Sequence, residues 1–490
     1  MKKWLVVVGV AVGLVVAVGG GCGFAGKSLA GAIWDDRPDI FSRWWPVVRW
    51  CTNGLPFVDQ LPELLNNRTY IVLLQNNKEL RPTGGFMGSY VRLRFAGGGL
   101  ASMDVVDIYQ PDGQLPGHVE PPYPVAEAFG QGWWKLRDAN WDPDMASAAA
   151  TVRWFLQQGG ETRVDGMVGV NLDLMKEWLG AVGQVNVVTY GETVNADNLY
   201  SLAQKYAEAS YKPNSTSKRD FLGAVGTALV EKTKAAGVVT EMKLAKTIWQ
   251  ELKSGQMWVW MADPGLEQVI ENKRWGGQLV RGPAAASGQA GDYLYVVETN
   301  LGANKANCCV SRTVAQNISG QSEQVVIDWK NTSQYPNPVP PVFWGGNYID
   351  YVRVIIPGES KVQSIKVQDK LLRRATAADF ALPNSLRYGR SEDMFDVEPR
   401  PGGLQSVGFW AVVPAGGSAE AQVVYSTPSG FPPNLGGEQK WGYQSLRIDR
   451  EPGIESFLYK LTDNGKIIFN GVIDKERDFG LYNQGNGGSD

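Results

Sequence analysis

The sequence predicts an α/β domain followed by an all-β sandwich, both behind an N-terminal transmembrane helix. Three observations lead to this prediction. Residues 4–18 are an uncharged run of Val, Leu, Ala and Gly behind Lys2 and Lys3. From Arg68 onward, apolar strand-like runs alternate with segments of helical spacing, which is the pattern of an α/β fold. After Gly291, short alternating runs separated by Gly, Pro and Asn turns are typical of a sandwich.

Composition excludes several classes of protein. The 490 residues carry 47 basic and 50 acidic side chains, a net charge of −3, which disfavours a nucleic-acid binder. His118 is the single histidine, so a multi-histidine metal site is excluded. The adjacent Cys308 and Cys309 are open to two interpretations, an oxidised pair or two thiols.

The N-terminus predicts the compartment. The apolar span after Lys3 reaches about twenty residues, enough to cross a hydrocarbon layer of ~30 Å. The positive flank places the N-terminus inside, so we expect a single-pass anchor in the cytoplasmic membrane (residues 1–26) and an extracytoplasmic bulk. A cleaved signal peptide and a lipoprotein site at Cys22 remain alternatives.

A juxtamembrane stalk is predicted at residues 27–67. Trp34, Trp44, Trp45 and Trp50 stand among arginines there, as in an amphipathic helix. Two placements are open for this stalk, one in the lipid headgroup layer and the other packed on the protein.

The α/β domain is predicted at residues 68–285. Residues 70–74 (YIVLL) suggest a strand buried on both faces, and residues 91–95 alternate as a strand with one wet side. A third strand is expected at 101–109. Asp142 with Pro143 predicts the start of a helix that ends at Gly159. Strand, helix and strand follow at 167–170, 172–179 and 185–188, and further helices at 196–208, 218–236 and 241–253.

The β-sandwich is predicted at residues 286–472. Its alternating runs lie at 293–298, 324–329, 351–356, 409–413 and 421–425. Residues 473–490 are expected to form a disordered tail.

A glycine-bearing loop directly after the first strand is the first candidate site. It reads QNNKELRPTGGF, where Gly84 and Gly85 allow close approach of a ligand and Arg81 offers a cationic fork. This position, at the carboxyl edge of a sheet, is where α/β folds bind ligands. The alternative is a tight turn with Arg81 paired to a carboxylate.

Two further clusters are candidates. The segment LRDANWDPD contains Arg137 and Asp138. Its carboxylates could bind a hard cation. The alternative, which we favour, is that Asp142 and Asp144 cap the helix that follows. Lys218 and Arg219 fall in the first turn of a helix, where cations are unfavourable unless an anion binds there. The alternative is that both charges are solvated.

These strings together resemble a bacterial family, domain of unknown function four thousand and twelve. The matching segments span about 69–312 and include LLQNNKELRPTGGFMGSY, DIYQPDG, GHVEPP, LRDANWDPD and GDYLYVVETNLGANKANCCVSR. The resemblance implies a membrane-anchored extracytoplasmic protein of unsettled function.

The order of parts is also similar to the LytR–CpsA–Psr family, which attaches lipid-linked glycopolymers to the bacterial cell wall. The strand–helix–strand VDGMVGVNLDLMKEWLGAVGQVNV fits its pattern, and SKRDFLGAVGTALVEKT stands where that family has a basic helix. The resemblance implies an α/β/α sheet domain and a polyprenyl pyrophosphate ligand. It implies that the phosphate is held by Arg81, Lys218 and Arg219, and that the lipid chain is sheltered by Phe221, Leu222, Val225 and Leu229. We add Arg137 to the candidate phosphate-binding residues.

The chain departs from that family at its metal ligands. The family's opening loop carries aspartates that hold Mg²⁺, whereas Asn76 and Thr83 to Gly85 occupy those places here. Mg²⁺ is therefore only a candidate cofactor, and the metal ligands are unknown. Without those ligands, phosphoryl transfer lacks its usual charge neutralisation, so binding is favoured over catalysis.

The sequence thus predicts a cell-envelope protein that binds a lipid-linked anionic glycopolymer. Transfer of that polymer is the further hypothesis. Arg81, Asp107 and Asp138 are the candidate catalytic groups. The alternative is a non-catalytic envelope scaffold or adhesion protein, which explains the missing acidic ligands more simply.

Overall fold

The computed structural model describes Ser28 and residues 37–51, 60–206, 217–280, 291–338, 344–427 and 443–482. The predicted anchor, residues 1–26, lies outside these ranges. Within them, no helix has both the length and the apolar character that a membrane crossing requires. The protein is a mixed α/β molecule with several sheets, as the sequence predicts.

The first part of the chain, residues 60–280, is called the α/β part below. Its helices and strands are α2 (Leu61–Leu64), β1 (Arg68–Asn76), β2 (Phe86–Ala96), β3 (Gly99–Asp107), α3 (Tyr109–Asp112), α4 (Tyr123–Phe129), α5 (Met145–Gln158), β4 (Gly166–Asn171), α6 (Leu172–Val182), β5 (Val185–Val187), β6 (Glu192–Val194), α7 (Leu199–Gln204), α8 (Ser217–Lys234), α9 (Val238–Ser254), β7 (Trp258–Met261) and α10 (Pro264–Lys273).

A five-stranded sheet organises the α/β part, with strand order β3-β2-β1-β4-β7. The central pair β1 and β4 is parallel, and the other neighbours are antiparallel. One face, with Ile71, Leu73 and Tyr90, packs against α5 through Val152 and Phe155. The other face is covered by α6, α8 and α9, which gives three layers.

Two local predictions about the α/β part need correction. Residues 70–74 are not buried on both faces: Ile71 and Leu73 are fully buried, whereas Val72 and Leu74 are partly exposed. The predicted cap Asp142 is also wrong, because Asp144 accepts the hydrogen bond from the backbone N–H of Ser147, at 2.9 Å. Asp142 instead pairs with Arg400 of the β part, at 3.1 Å.

The second part, residues 291–482, is called the β part. Its strands are β8 (Asp292–Val297), β9 (Val310–Ser319), β10 (Ser322–Asn331), β11 (Tyr348–Pro357), β12 (Lys361–Val367), β13 (Lys370–Leu371), β14 (Arg373–Arg374), β15 (Met394–Arg400), β16 (Leu404–Val413), β17 (Ser418–Ser426), β18 (Tyr443–Asp449), β19 (Phe457–Asp463), β20 (Lys466–Ile473) and β21 (Arg477–Tyr482).

Two seven-stranded sheets make up the β part, in the orders β13-β12-β17-β10-β9-β19-β20 and β14-β15-β16-β11-β8-β18-β21. They share one apolar core, in which Val325 and Val423 of the first sheet meet Val354 and Val407 of the second. The predicted tail starts too early, because β21 pairs with β18 and buries Phe479 in the same core.

The stalk segment contains helix α1 (Pro38–Cys51). Ile40, Trp44, Trp45 and Val48 of this helix pack against Leu65 and Phe95. Of the two placements considered for the stalk, the structure shows the one packed on the protein. Cys308 and Cys309 form a disulfide, between β8 and β9.

Candidate functional site

An apolar cavity of about 530 Å³ lies between the sheet of the α/β part and helices α6, α8 and α9. Four strands and three helices contribute its walls. The strand residues are Val72, Leu74, Val91, Leu93, Met103, Val105, Val168 and Val170, and the helix residues include Leu174, Met175, Trp178, Leu222, Gly226, Leu229, Val230, Leu244 and Ile248. The lining residues are almost all apolar, and we call this space the lipid-sized cavity.

The period-two pattern of the strands creates this apolar wall. On β1, alternate residues point to opposite faces, so Ile71 and Leu73 enter the packed core with α5 while Val72 and Leu74 face the cavity. Val72 and Leu74 stay partly exposed although β1 is the central strand. The covering helices therefore stand off the sheet instead of closing on it.

The predicted lipid-contacting residues of α8 divide between two environments. Leu222 and Leu229 line the cavity. Phe221 and Val225 are fully buried in an adjoining core to which Leu229 also belongs, and Phe221 stacks on Tyr206 at 4.4 Å between ring centroids. Helical spacing turns Leu222 and Leu229 toward the cavity, whereas Phe221 and Val225 lie on the adjacent side of the helix.

Lys218 and Arg219 lie in the first turn of α8. Their side chains are outside the described residues, so their predicted contact with phosphate stays a prediction.

Arg81 occupies a buried position at the carboxyl edge of the sheet, with a side chain only 3% exposed. Its guanidinium donates to the backbone oxygens of Asn300 and Leu80, and it lies 3.6 Å from Asp138 and 3.3 Å from Glu79. All these acceptors belong to the protein. This arrangement corresponds to the alternative considered for Arg81, a structural residue paired with carboxylates, and it argues against a contact between Arg81 and a phosphate.

The loop between β1 and β2 binds the β part. The backbone N–H of Asn300 donates to Leu80 O at 3.1 Å, and the side chain of Asn307 donates to Asn77 O at 2.6 Å. At Gly85, with φ of 144°, an added Cβ would fall 2.4 Å from the backbone of Asn76. The glycines thus serve a tight loop that the β part covers.

The other candidate catalytic and phosphate-binding groups are engaged in local pairs. Arg137 contacts Asp112 at 3.4 Å and Asp138 at 3.6 Å. Burial raises the pKa of Asp112, which also accepts the backbone N–H of Leu136. Asp107 accepts the backbone N–H of Tyr109, at 2.9 Å, beside α3.

The described residues offer no arrangement that suits the candidate cofactor Mg²⁺. No group of three or more Asp, Glu, His or Cys side chains among them is arranged to hold a metal ion. Asp138 has Arg81 on one carboxylate oxygen and Arg137 on the other, so two cations already neutralise it.

The sequence prediction missed the strand side of the cavity. Val72, Val91 and Val105 have the same apolar character as core residues, and their alternation alone does not distinguish a cavity from a packed layer. Gly226 was the available signal, because a glycine within a helix leaves room where a side chain would otherwise pack.

Comparison with known proteins identifies one family and several distant structures. The model of "Protein of unknown function (DUF4012)" matches residues 66–207. No curated protein matches the chain.

Three solved structures illustrate the distant likeness. Protein gbs0355 from Streptococcus agalactiae is 10% identical, over 47% of this chain and 83% of its own, with a TM-score of 0.30. B. subtilis TagV is 14% identical, over 46% and 90%, with a TM-score of 0.27. A structure described as TagT bound to LI-WTA is 13% identical, over 44% and 76%, with a TM-score of 0.25.

TM-scores of 0.30 and below are too low to assign the fold, which is described above from its own contacts. The first resemblance is confirmed by the family model: residues 66–207 of this chain match the proteins of unknown function DUF4012.

Proposed function

We propose that this protein binds the hydrocarbon chain of a lipid-linked cell-envelope glycopolymer in the lipid-sized cavity. The observation that carries the proposal is the cavity itself, about 530 Å³ with walls that are almost entirely apolar. Small-ligand sites enclose ~300–1,000 Å³, so the space is large enough for a substantial part of a lipid chain.

The energetics favour a hydrocarbon occupant. Protein interiors normally pack to crystal-like density, and an apolar void forfeits dispersion contacts along its lining. Thr233, one of the few polar residues on the wall, already bonds to Leu229 O and Trp178 Nε1. An alkyl or isoprenoid chain restores the missing contacts and leaves no polar group unpaired.

The start of α8 is the proposed place for the phosphate group of such a lipid. Leu222 lines the cavity, and Lys218 and Arg219 precede it by four and three residues. Residues at this spacing occupy one face of a helix. A helix N-terminus with two cations suits a pyrophosphate, which is also what the LytR–CpsA–Psr resemblance implies.

Binding is better supported than transfer. The loop that carries Arg81 is covered by Asn300 and Asn307 of the β part, and Arg81 donates to protein oxygens. This cover favours the second candidate, a non-catalytic envelope protein that holds a lipid-linked polymer without transferring it.

A glycine substitution tests the proposal directly. A Cβ added at Gly226, on the cavity wall, meets no atom within 4 Å, so Gly226→Phe places a ring in the cavity without a local clash. We expect the purified full chain in detergent to bind a polyprenyl pyrophosphate saturably. Gly226→Phe should weaken that binding about tenfold or more, since a filled cavity excludes part of the chain.

Gly180→Phe is the matched control. Gly180 also lies in a helix with open space around it, but it is exposed and outside the cavity. It should bind the lipid like the wild type. Failure of the wild type to bind, or equal affinities for the two variants, would falsify the proposal.

A further inference from the structure

A second cavity, of about 370 Å³, lies where the α/β part meets the second sheet of the β part. Its walls combine aromatic rings with charged groups: Tyr123, Trp141, Tyr351, Phe380, Arg353, Arg374, Asp396, Glu398 and Arg400. Tyr123 directly follows the string GHVEPP, and Trp141 lies within the string LRDANWDPD. Both strings are among those that carry the family resemblance. The proposed lipid site uses none of them.

Arg353 is the most unusual of these residues because it is a buried cation that is 1% exposed. Its guanidinium lies over the ring of Trp141, at 4.3 Å from the centroid. Nη2 donates to Trp141 O at 2.8 Å and to Thr299 Oγ1 at 3.2 Å. Nε and Nη1 have no acceptor within the part of the chain that the structure describes.

No carboxylate among the described residues forms an ion pair with Arg353, in contrast to Arg312 and Arg400. Arg312 lies 2.6 Å from Glu298, and Arg400, on the same wall, pairs with Asp142 and Glu398. Burial, and then the positive charge of Arg400, lower the pKa of Arg353. A buried cation without a counter-charge is costly, which makes Arg353, on the wall of a cavity, a candidate ligand-binding group.

A carboxylate forms the polar floor of the cavity. Asp396 accepts hydrogen bonds at Oδ2 from Tyr123, at 2.5 Å, and from Tyr351. Because both tyrosines use Oδ2, Oδ1 is the oxygen that can accept a bond from a ligand hydroxyl. Gly408 makes this arrangement possible, since a Cβ there would fall 2.2 Å from Tyr351 Oη and 2.7 Å from Asp396 Oδ1.

Aromatic rings form the remaining wall and the rim. Trp141 and Tyr351 lie 5.6 Å apart with a tilt of 31°, and Phe380 packs edge-on against Tyr123 at 5.3 Å. Phe380 is 38% exposed, so part of its ring is available at the mouth of the cavity. Flat apolar surfaces beside hydrogen-bonding groups suit a ligand that is itself amphipathic.

We propose that this second cavity binds an anionic sugar unit, a pyranose that carries a carboxylate or a phosphate. Arg353 supplies the free donors and the positive charge for the anionic group, with the exposed Arg374 at the mouth. Asp396 accepts a sugar hydroxyl, and the C–H face of the pyranose packs on the aromatic rings. A charge-assisted bond to a buried arginine is among the stronger polar contacts in proteins.

The composition of the wall selects this class of ligand. A bare anion needs no aromatic surface, and a neutral sugar leaves the charge of Arg353 unpaired. The cavity lies within the ~300–1,000 Å³ range of small-ligand sites, which accommodates sugar-sized molecules.

Four soluble probes test the proposal on the full chain in detergent: glucuronate, glucose 6-phosphate, glucose and inorganic phosphate. Titration calorimetry and saturation-transfer NMR should show binding of glucuronate, glucose 6-phosphate or both, and these two arms distinguish carboxylated from phosphorylated sugars. Glucose and phosphate should each bind about tenfold more weakly or worse, since each lacks half of the contacts. Equal binding of either one, or no binding of the two anionic sugars, overturns the proposal.

Arg353→Met removes the charge and keeps an apolar chain of similar length. The variant leaves Trp141 O without its donor, so its unfolding free energy should fall, and the folded variant should bind the anionic sugar about tenfold or more weakly. Unchanged affinity in the folded variant contradicts the proposal.

Phe380→Ala tests the aromatic rim at a position that folding tolerates. It should weaken binding of the same sugar by about two- to tenfold, whereas Tyr335→Ala, at a more exposed aromatic outside the cavity, should have no effect. Equal effects of the two substitutions contradict the proposed stacking.

This proposal does not depend on the lipid-sized cavity. Gly226→Phe should leave sugar binding unchanged, so failure of one site is distinguishable from failure of the other.

Discussion

At the scale of single residues, Asp396 is a carboxyl group whose pKa burial raises to about 6, from its usual 3.8. The folded protein therefore holds this proton more tightly than the unfolded chain does. The sign follows from linkage: the stabilisation is present below the unfolded pKa and is lost as pH rises through the folded pKa. A shift of about two units corresponds to about 3 kcal/mol of unfolding free energy.

Asp396→Asn should not lose stability as the pH rises, because the amide does not ionise. Its oxygen can still accept hydrogen bonds from Tyr123 and Tyr351. The difference in unfolding free energy between variant and wild type should therefore change by about 3 kcal/mol between about pH 4 and pH 7, in favour of the variant. Urea denaturation at several pH values measures this difference. Parallel profiles for the two proteins would show that Asp396 is not the titrating group.

At the scale of secondary-structure elements, Gly169 of β4 makes room for the side chain of Trp258, its partner on the antiparallel neighbour β7. Trp258 of β7 is 1% exposed and donates from Nε1 to Thr83 O at 2.9 Å. A Cβ at Gly169 would fall 2.1 Å from that Nε1 atom. Gly169→Ala should therefore displace the indole and reduce the unfolding free energy by about 3 kcal/mol, through overpacking and the lost hydrogen bond.

Gly180→Ala in α6 is the control, because it replaces a glycine by alanine without displacing a neighbouring side chain. With open space around an exposed helical position, it should raise stability by up to ~1 kcal/mol. Urea denaturation compares the two variants. If both shift stability in the same direction and by the same amount, the indole contact is not the cause.

The sequence predicted these elements well where the pattern is local. The strand at 70–74, the helix predicted from Asp142 and the runs of the β part all follow from apolar spacing, and they coincide with β1, α5 and strands β8, β10, β11, β16 and β17 to within a few residues. The choice between Asp142 and Asp144 as cap was not local. It depends on Arg400, which pairs with Asp142, and on the N–H of Leu279, which donates to Asp144 at 2.9 Å.

The same limit applies to the candidate site. The residues predicted to contact lipid lie on α8, and helical geometry turns Leu222 and Leu229, but not Phe221 and Val225, toward the cavity. The acceptor of Arg81 could not be predicted, since Asn300 is 219 residues away in the chain. Only the docking of the β part brings the two together.

At the scale of the whole molecule, buried arginines cross between the α/β part and the β part. Arg81 donates to Asn300 O, Arg353 to Trp141 O and Arg450 to Ser254 O. If one part unfolded alone, each guanidinium in the remaining part would lose an acceptor at a cost of about 1–3 kcal/mol. The proposed boundary near residue 285 therefore separates two architectures but not two independent folding units.

We accordingly expect the full chain to unfold in one cooperative transition, with coincident circular dichroism and tryptophan fluorescence curves. Arg81→Ala leaves Glu79 and Asp138 without this buried cation and should reduce the free energy of unfolding by about 3–5 kcal/mol. Arg94→Ala is the control, because Arg94 is 51% exposed and its contact with Asp104 is long, at 3.9 Å. Its removal should lower the free energy of unfolding by less than ~1 kcal/mol. Two separated transitions in the wild type, or equal costs for the two variants, would contradict a single folding unit and return Arg81 to the list of possible ligand-binding residues.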